Sequence, residues 1–264
     1  VATYLDTILT AHRAAAARDH RIVDQLIIDA FAQPPTRGFR AALATAVRDD
    51  GDAIAVIAEV KRRSPSKGDL AIDLDPADLA TEYDAGGAAC LSVLTDFEFF
   101  GGSRDDLQAA HDATTLPVLR KDFTVSDADV CDARIMGADC VLLIAAALDD
   151  HELADFHALA KEVGLDALVE IHDEAELERA MVVGADLVGV NQRDLVTFQV
   201  DTERAVRLAG SMPADVVRVA ESGVRGPADA AALAAAGYHA VLVGESLVTA
   251  GQPSKAVAAL RGAG

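Results

Sequence analysis

Lys61 and Lys121 are two of only five lysines in a chain of 264 residues, and each closes an apolar run. The first run is Ile54-Ala55-Val56-Ile57-Ala58-Glu59-Val60-Lys61; the second ends Val118-Leu119-Arg120-Lys121. Other apolar runs end in the carboxylates Glu170 and Glu221, and another in Asn191 with Arg193 just beyond. Charges are costly in a core unless paired, so runs that end this way open into a site. Nearby carboxylates hold a lysine protonated, while desolvation favours its neutral form. A charged lysine in such a cavity can act as a general acid, and a carboxylate raised by burial as a base.

Two loops add a second chemistry. Ser222-Gly223-Val224-Arg225-Gly226 and Gly244-Glu245-Ser246 follow the last two apolar runs. Small residues let backbone N–H groups approach an anion, and a helix N-terminus adds a favourable dipole, so both loops suggest phosphate. The seven histidines form no His-Glu-x-x-His pattern and no ligand cluster, so no metal is implied. His172 reads as a loop histidine. No Gly-x-Ser-x-Gly elbow points to serine hydrolysis.

These groups need strands to carry them. Apolar runs suited to strands cover 53–59, 89–95, 116–120, 139–145, 167–171, 186–191, 216–221 and 239–244. Amphipathic stretches lie between them at 76–86, 102–113, 126–136, 151–163, 174–183, 201–210 and 226–236, with a last one at 252–261. A weak repeat sets the phase: Gly87, Gly137, Gly184 and Gly237 each end a helix before the next apolar run. Strands apolar on both faces belong to parallel sheets covered by helices. Eight such units favour a closed (β/α)8 TIM barrel, in which the site lies at the C-terminal ends of the strands. Ahead of them, 3–18, 22–31 and 39–47 read as helices. The chain is therefore expected to be one domain over 1–264, with an N-terminal helical extension (1–50) and a barrel (51–264).

Composition narrows the function. The formal charge is −20, from 31 Asp and 12 Glu against 18 Arg and 5 Lys. Without a basic stripe, nucleic-acid binding is not expected. Abundant aspartate with scarce lysine suggests a salt-adapted, halophilic surface. Cys90, Cys131 and Cys140 have no metal or disulfide spacing, and Cys90 and Cys140 read as small core residues. No secretion signal and no apolar run of about 18 residues is found, so the expectation is a cytoplasmic protein without a membrane span.

The ordered motifs resemble one family closely. Glu59-Val60-Lys61-Arg62-Arg63-Ser64-Pro65-Ser66-Lys67-Gly68 looks like the signature of indole-3-glycerol-phosphate synthase. Thr95 to Ser103, Leu119 to Phe123, Leu168 to His172, Gly189 to Leu195, Ala220 to Val224 and Leu242 to Ser246 match in order. The resemblance spans the whole chain, and the last unit suggests the monofunctional form. It implies ring closure, decarboxylation and dehydration of 1-(2-carboxyphenylamino)-1-deoxyribulose 5-phosphate, without a cofactor. It also implies roles. Lys121 would protonate the substrate carbonyl. Glu170 and Glu59 would share acid and base duty in an order the residues leave open. Lys61 would hold the anionic substrate or share acid duty as well, Asn191 would orient a reacting group, and Glu221 would meet a substrate hydroxyl. Ser222, Gly223, Gly244 and Glu245 would contact phosphate. Phe123 and Leu242 would wall the aromatic ring, and Arg193 and Ser64 would line the mouth. The loop 62–70 is the candidate lid. The expected partner is a small phosphosugar, met by a monomer or weak homodimer. Two other readings use the same residues: a Schiff-base aldolase built on Lys121 or Lys61, and a phosphosugar-binding protein without catalysis. The number of proton-transfer groups speaks against the second.

Overall fold

A computed structural model describes residues 3–49, 54–65, 67–194, 196 and 199–262 of the chain. Eight parallel strands close into a barrel: β1 (Ala55–Val60), β2 (Cys90–Leu94), β3 (Val118–Lys121), β4 (Cys140–Ile144), β5 (Asp166–Ile171), β6 (Leu187–Asn191), β7 (Val217–Glu221) and β8 (Ala240–Val243). Each strand pairs with its neighbours in sequence, and β8 returns to β1, with Ile57 opposite Leu242 on one side and Cys90 on the other. Closure leaves the barrel itself without a free strand edge. The eight expected runs thus form the eight strands, with bounds shifted by a residue or two; position 53, the expected start of the first, lies outside the described residues.

Alternation along each strand divides the apolar residues between two cores. Val56, Ala58, Leu91, Val93, Val141, Leu143, Val169, Val188 and Val241 face outward and pack with the helices. Ala55, Ile57, Cys90, Leu119, Cys140, Leu142, Leu168, Val219 and Leu242 fill the barrel interior. The cysteines are core residues and carry no bridge. The repeated Gly87, Gly137, Gly184 and Gly237 all have positive φ, the conformation that turns a helix end into the next strand without a Cβ clash. Asp75, Asp149, Asp173 and Asp201 each cap a helix through a backbone N–H.

The N-terminal helices wrap the barrel from end to end. In helix Phe39–Asp49, Phe39 and Leu43 are fully buried and join the interior core. The start of that helix is tied to the N-terminal ends of two strands: Arg37 N donates to Asp139 at 2.6 Å and Arg40 N to Asp166 at 2.8 Å. Helix Val23–Phe31 runs along the side against helix Asp127–Ile135. Helix Tyr4–Ala16 reaches the opposite end, where Arg13 pairs with Glu152 and His12 with Asp96. The amphipathic spacing of these helices carries no signature of their span from floor to mouth.

Candidate active site

Alternation points Glu59, Lys121, Glu170, Asn191 and Glu221 inward at the last position or two of β1, β3, β5, β6 and β7. Lys61 follows one residue beyond β1. Together they line a chamber of about 890 Å³ at the C-terminal mouth. All fourteen residues singled out from the sequence line it: these six, and Ser64, Phe123, Arg193, Ser222, Gly223, Leu242, Gly244 and Glu245.

Two ammonium groups divide the carboxylates. Lys61 Nζ donates to Glu59 Oε1 at 2.5 Å, and Ser92 Oγ donates to Glu59 Oε2 at 3.3 Å. Lys121 Nζ donates to Glu170 Oε2 at 3.0 Å and stands 3.6 Å from Glu221 Oε2. Burial alone would lower the Lys121 pKa; the charges of Glu170, Glu221 and Glu59 outweigh it and hold the ammonium above its ordinary value.

Glu170 and Glu221 are both almost wholly buried but differ in partners. Glu170 accepts from Lys121 and, at 3.0 Å, from Asn191 Nδ2, with His172 Nε2 3.7 Å away. Burial would raise it, but Lys121, His172 and Asn191 draw its pKa well down. Glu221 has less support. Its Oε1 has no hydrogen-bond partner, and burial followed by the Glu170 charge pushes its pKa up. Two carboxyls around one lysine therefore hold an ionised member and a readily protonated one. The sequence suggested a burial-raised carboxylate among the three; tertiary packing selects Glu221. Gly189 on β6 makes its position possible, since a Cβ there would overlap Glu221 Oε1.

Asn191 is fixed from both sides, donating to Glu170 and accepting from Arg193 N at 3.0 Å through Oδ1. Gly244, expected at a phosphate, also has a packing reason: a Cβ would run into Glu59 Oε1. At the β7 end, Ser222 has φ 65° and Gly223 φ 77°, and Ser222 is the only non-glycine with positive φ among the described residues. Positive φ at two successive residues bends the backbone sharply at the mouth, just before the N-terminus of helix Pro227–Ala235, where an anion is favoured. Beyond β1, Arg63–Ser64 pairs antiparallel with Gly68–Asp69. Lys67 Nζ reaches across the mouth to within 3.8 Å of Glu245 Oε1. Ser66, inside the candidate lid, lies outside the described residues.

His12 escaped the sequence reading as a site residue. Its Nε2 is 2.9 Å from Asp96 Oδ2 and 3.9 Å from Asp122 Oδ1, and its ring lies 5.4 Å from that of Phe123. Its helical spacing carried only an apolar-face signal. Ligand atoms of His12, Asp96 and Asp122 lie within 4.8 Å of one another, a geometry that can hold a cation. The carboxylates are already engaged, however. Asp122 accepts from Arg120 at 3.0 Å, and Asp96 from Phe99 N at 2.6 Å. The strand-end charge Arg120 itself faces out of the chamber, donating also to Asp129 O at 2.8 Å.

A closed parallel barrel whose C-terminal mouth gathers lysines, buried carboxylates and a strained loop of small residues defines a (β/α)8-barrel enzyme. Two solved structures share the fold: thiamine phosphate pyrophosphorylase from Pyrococcus furiosus, with TM-score 0.59 and 16% identity over 81% of this chain and 96% of that one, and N-acetylmannosamine-6-phosphate 2-epimerase from Clostridium perfringens, with TM-score 0.58 and 15% identity over 73% and 86%. Sequence comparison goes further. The family model for indole-3-glycerol phosphate synthase matches residues 5–260. An indole-3-glycerol phosphate synthase from Mycobacteroides abscessus is 48% identical over 262 residues, 99% of this chain and 95% of the relative. One from a Nocardioides species is 57% identical over 207 residues, 78% and 80% of the two chains. The chain belongs to the indole-3-glycerol phosphate synthase family.

Proposed function

We propose that Lys121 is the general acid of the indole-3-glycerol-phosphate synthase reaction in this chain. That reaction belongs to tryptophan biosynthesis and makes the chain a carboxy-lyase. The aryl carbon of 1-(2-carboxyphenylamino)-1-deoxyribulose 5-phosphate attacks the ketone carbon, and the ketone oxygen takes a proton from the Lys121 ammonium. The iminium-like ring accepts the electron pair as CO2 leaves. Loss of the new hydroxyl as water and of a ring proton then yields indole-3-glycerol phosphate. Glu170 and Glu59 share the acid and base work of dehydration. Lys61 holds the anionic substrate, Asn191 orients the reacting group, and Glu221 in its protonated form bonds a substrate hydroxyl. Ser222, Gly223, Gly244 and Glu245 meet the phosphate, Phe123 and Leu242 wall the ring, and Ser64 and Arg193 line the entrance. The segment 62–70 closes over the mouth.

The observation that carries this reading is Lys121, kept protonated by Glu170 and Glu221 at 3.0 and 3.6 Å inside one chamber. Lys121→Ala removes a transition-state interaction and is expected to lower kcat by about 10²-fold or more with a modest change in KM. Indole fluorescence of the product is the readout, and the chain contributes no tryptophan background. A wild-type kcat would end the assignment. Borohydride with substrate is expected to trap no adduct; a stable adduct on Lys121 or Lys61 would favour an aldolase-type Schiff base.

The extension (1–50) and the barrel (51–264) act as one domain, a reading supported by Phe39 and Leu43 in the interior core. The chain is proposed to act on its small phosphosugar as a monomer or weak homodimer. No helix among the described residues is long and apolar enough to cross a membrane. With three free cysteines, that supports a cytoplasmic setting. The −20 charge supports a salt-adapted surface.

A further inference from the structure

The loop after β7 holds the one unfavourable backbone conformation of its kind among the described residues. Ser222 sits at φ 65°, a left-handed geometry that brings a Cβ too close to the following carbonyl. Such a residue persists only where its surroundings hold it. One side chain meets it from outside the chamber lining. Gln192, directly after Asn191 at the end of β6, is 2% exposed, and its Nε2 donates to Ser222 O at 2.7 Å. The backbone of Gln192 is clamped as well: its N donates to Glu221 O at 2.9 Å, and its O accepts from Asp201 N at 2.8 Å. Its other amide atom, Oε1, is buried without a partner. A core site that only needed filling is served at lower cost by an apolar side chain of the same length.

We propose that Gln192 is a positioning residue for phosphate, acting through Ser222. Its amide grips the Ser222 carbonyl and keeps Ser222 and Gly223 in successive left-handed conformations, so that the backbone N–H groups of the loop are set before substrate arrives. Gln192 touches no substrate. This inference rests on the assignment of the Ser222–Gly223 loop to the phosphate group.

The test is a double-mutant cycle on the full chain, read by KM and kcat for the phosphorylated substrate and by competitive inhibition with inorganic phosphate. Gln192→Met keeps length and loses the donor. It is expected to raise KM and the inhibition constant of phosphate about tenfold, with kcat within about twofold. Glycine adopts positive φ without penalty, so in a Ser222→Gly background the same change is expected to raise KM by less than about threefold. Equal, independent costs in the two backgrounds would overturn the proposal, as would a fall in kcat with KM unchanged. Should Gln192→Met fail to fold, Gln192→Glu supplies the answer. Its acid form can donate to the Ser222 carbonyl and its carboxylate cannot, so KM must climb with pH relative to the wild-type profile, and a parallel profile would refute the link. Ser222→Asp separates the two levels: a negative charge at the loop should raise KM strongly. An unchanged KM there would remove the phosphate assignment itself, whatever Gln192 does.

Discussion

At the scale of single residues, two carboxyls with the same chemistry are driven apart by their neighbours. Glu170 has Lys121, Asn191 and His172 around it and stays ionised; Glu221 has an orphaned oxygen and a charged neighbour, and takes a proton first. Glutamine mimics a protonated carboxyl in shape and hydrogen bonding. Glu221→Gln should therefore retain most of kcat, whereas Glu170→Gln should lose about 10²-fold or more, since general acid–base groups contribute on that order. The ratio of the two kcat values decides the matter, and equal losses would contradict the division of protonation states. The identities of these residues were legible beforehand because each terminates an apolar run. Which carboxyl carries the proton was not, because it depends on distances of 3 to 4 Å between side chains from β3, β5, β6 and β7.

At the scale of elements, the N-terminal helices hold the barrel at both ends. Leu43→Ala in the plug at the floor removes a fully buried side chain and should cost about 2–5 kcal/mol, measured by denaturant unfolding. At the mouth, helix Tyr4–Ala16 is tied down by Arg13 and by His12. Burial lowers the His12 pKa, but Asp96 and Asp122 outweigh it and raise it overall. A raised folded-state value means that the folded form binds the proton more tightly. The stabilisation from His12 is therefore complete below the ordinary histidine value and lost as pH rises through the higher folded value. Amide exchange in Tyr4–Ala16 should accelerate over that interval, and His12→Gln should abolish the pH step. Exchange that slows with rising pH, after correction for intrinsic chemistry, would reverse the sign and refute the account. The amphipathic spacing that forecast this helix says nothing about which end of the barrel it covers, because any apolar stripe can be buried by any complementary face.

At the scale of the whole molecule, the −20 charge governs behaviour in solution. Like charges repel across the surface, and salt screens them with a Debye length of about 3 Å at 1 M against about 30 Å at 0.01 M. Dialysis to low salt should lower the melting temperature or unfold the chain, followed by circular dichroism. Full stability in dilute buffer would leave the acidity to local uses such as the helix caps at Asp75, Asp149, Asp173 and Asp201.

The order of eight apolar runs, the phase of their helices and the reactive groups that end the runs forming β1, β3, β5, β6 and β7 were all set by the chain alone. Period-two alternation and helical spacing are local properties, and a closed parallel barrel is what satisfies eight strands buried on both faces. Tertiary structure alone decided the rest: the pairing of Lys61 with Glu59 and of Lys121 with Glu170, the raised pKa of Glu221, the reach of His12 to the mouth and the left-handed turn at Ser222. Each of these depends on groups distant in sequence meeting within a few ångströms in a space of low dielectric, where position outweighs residue type.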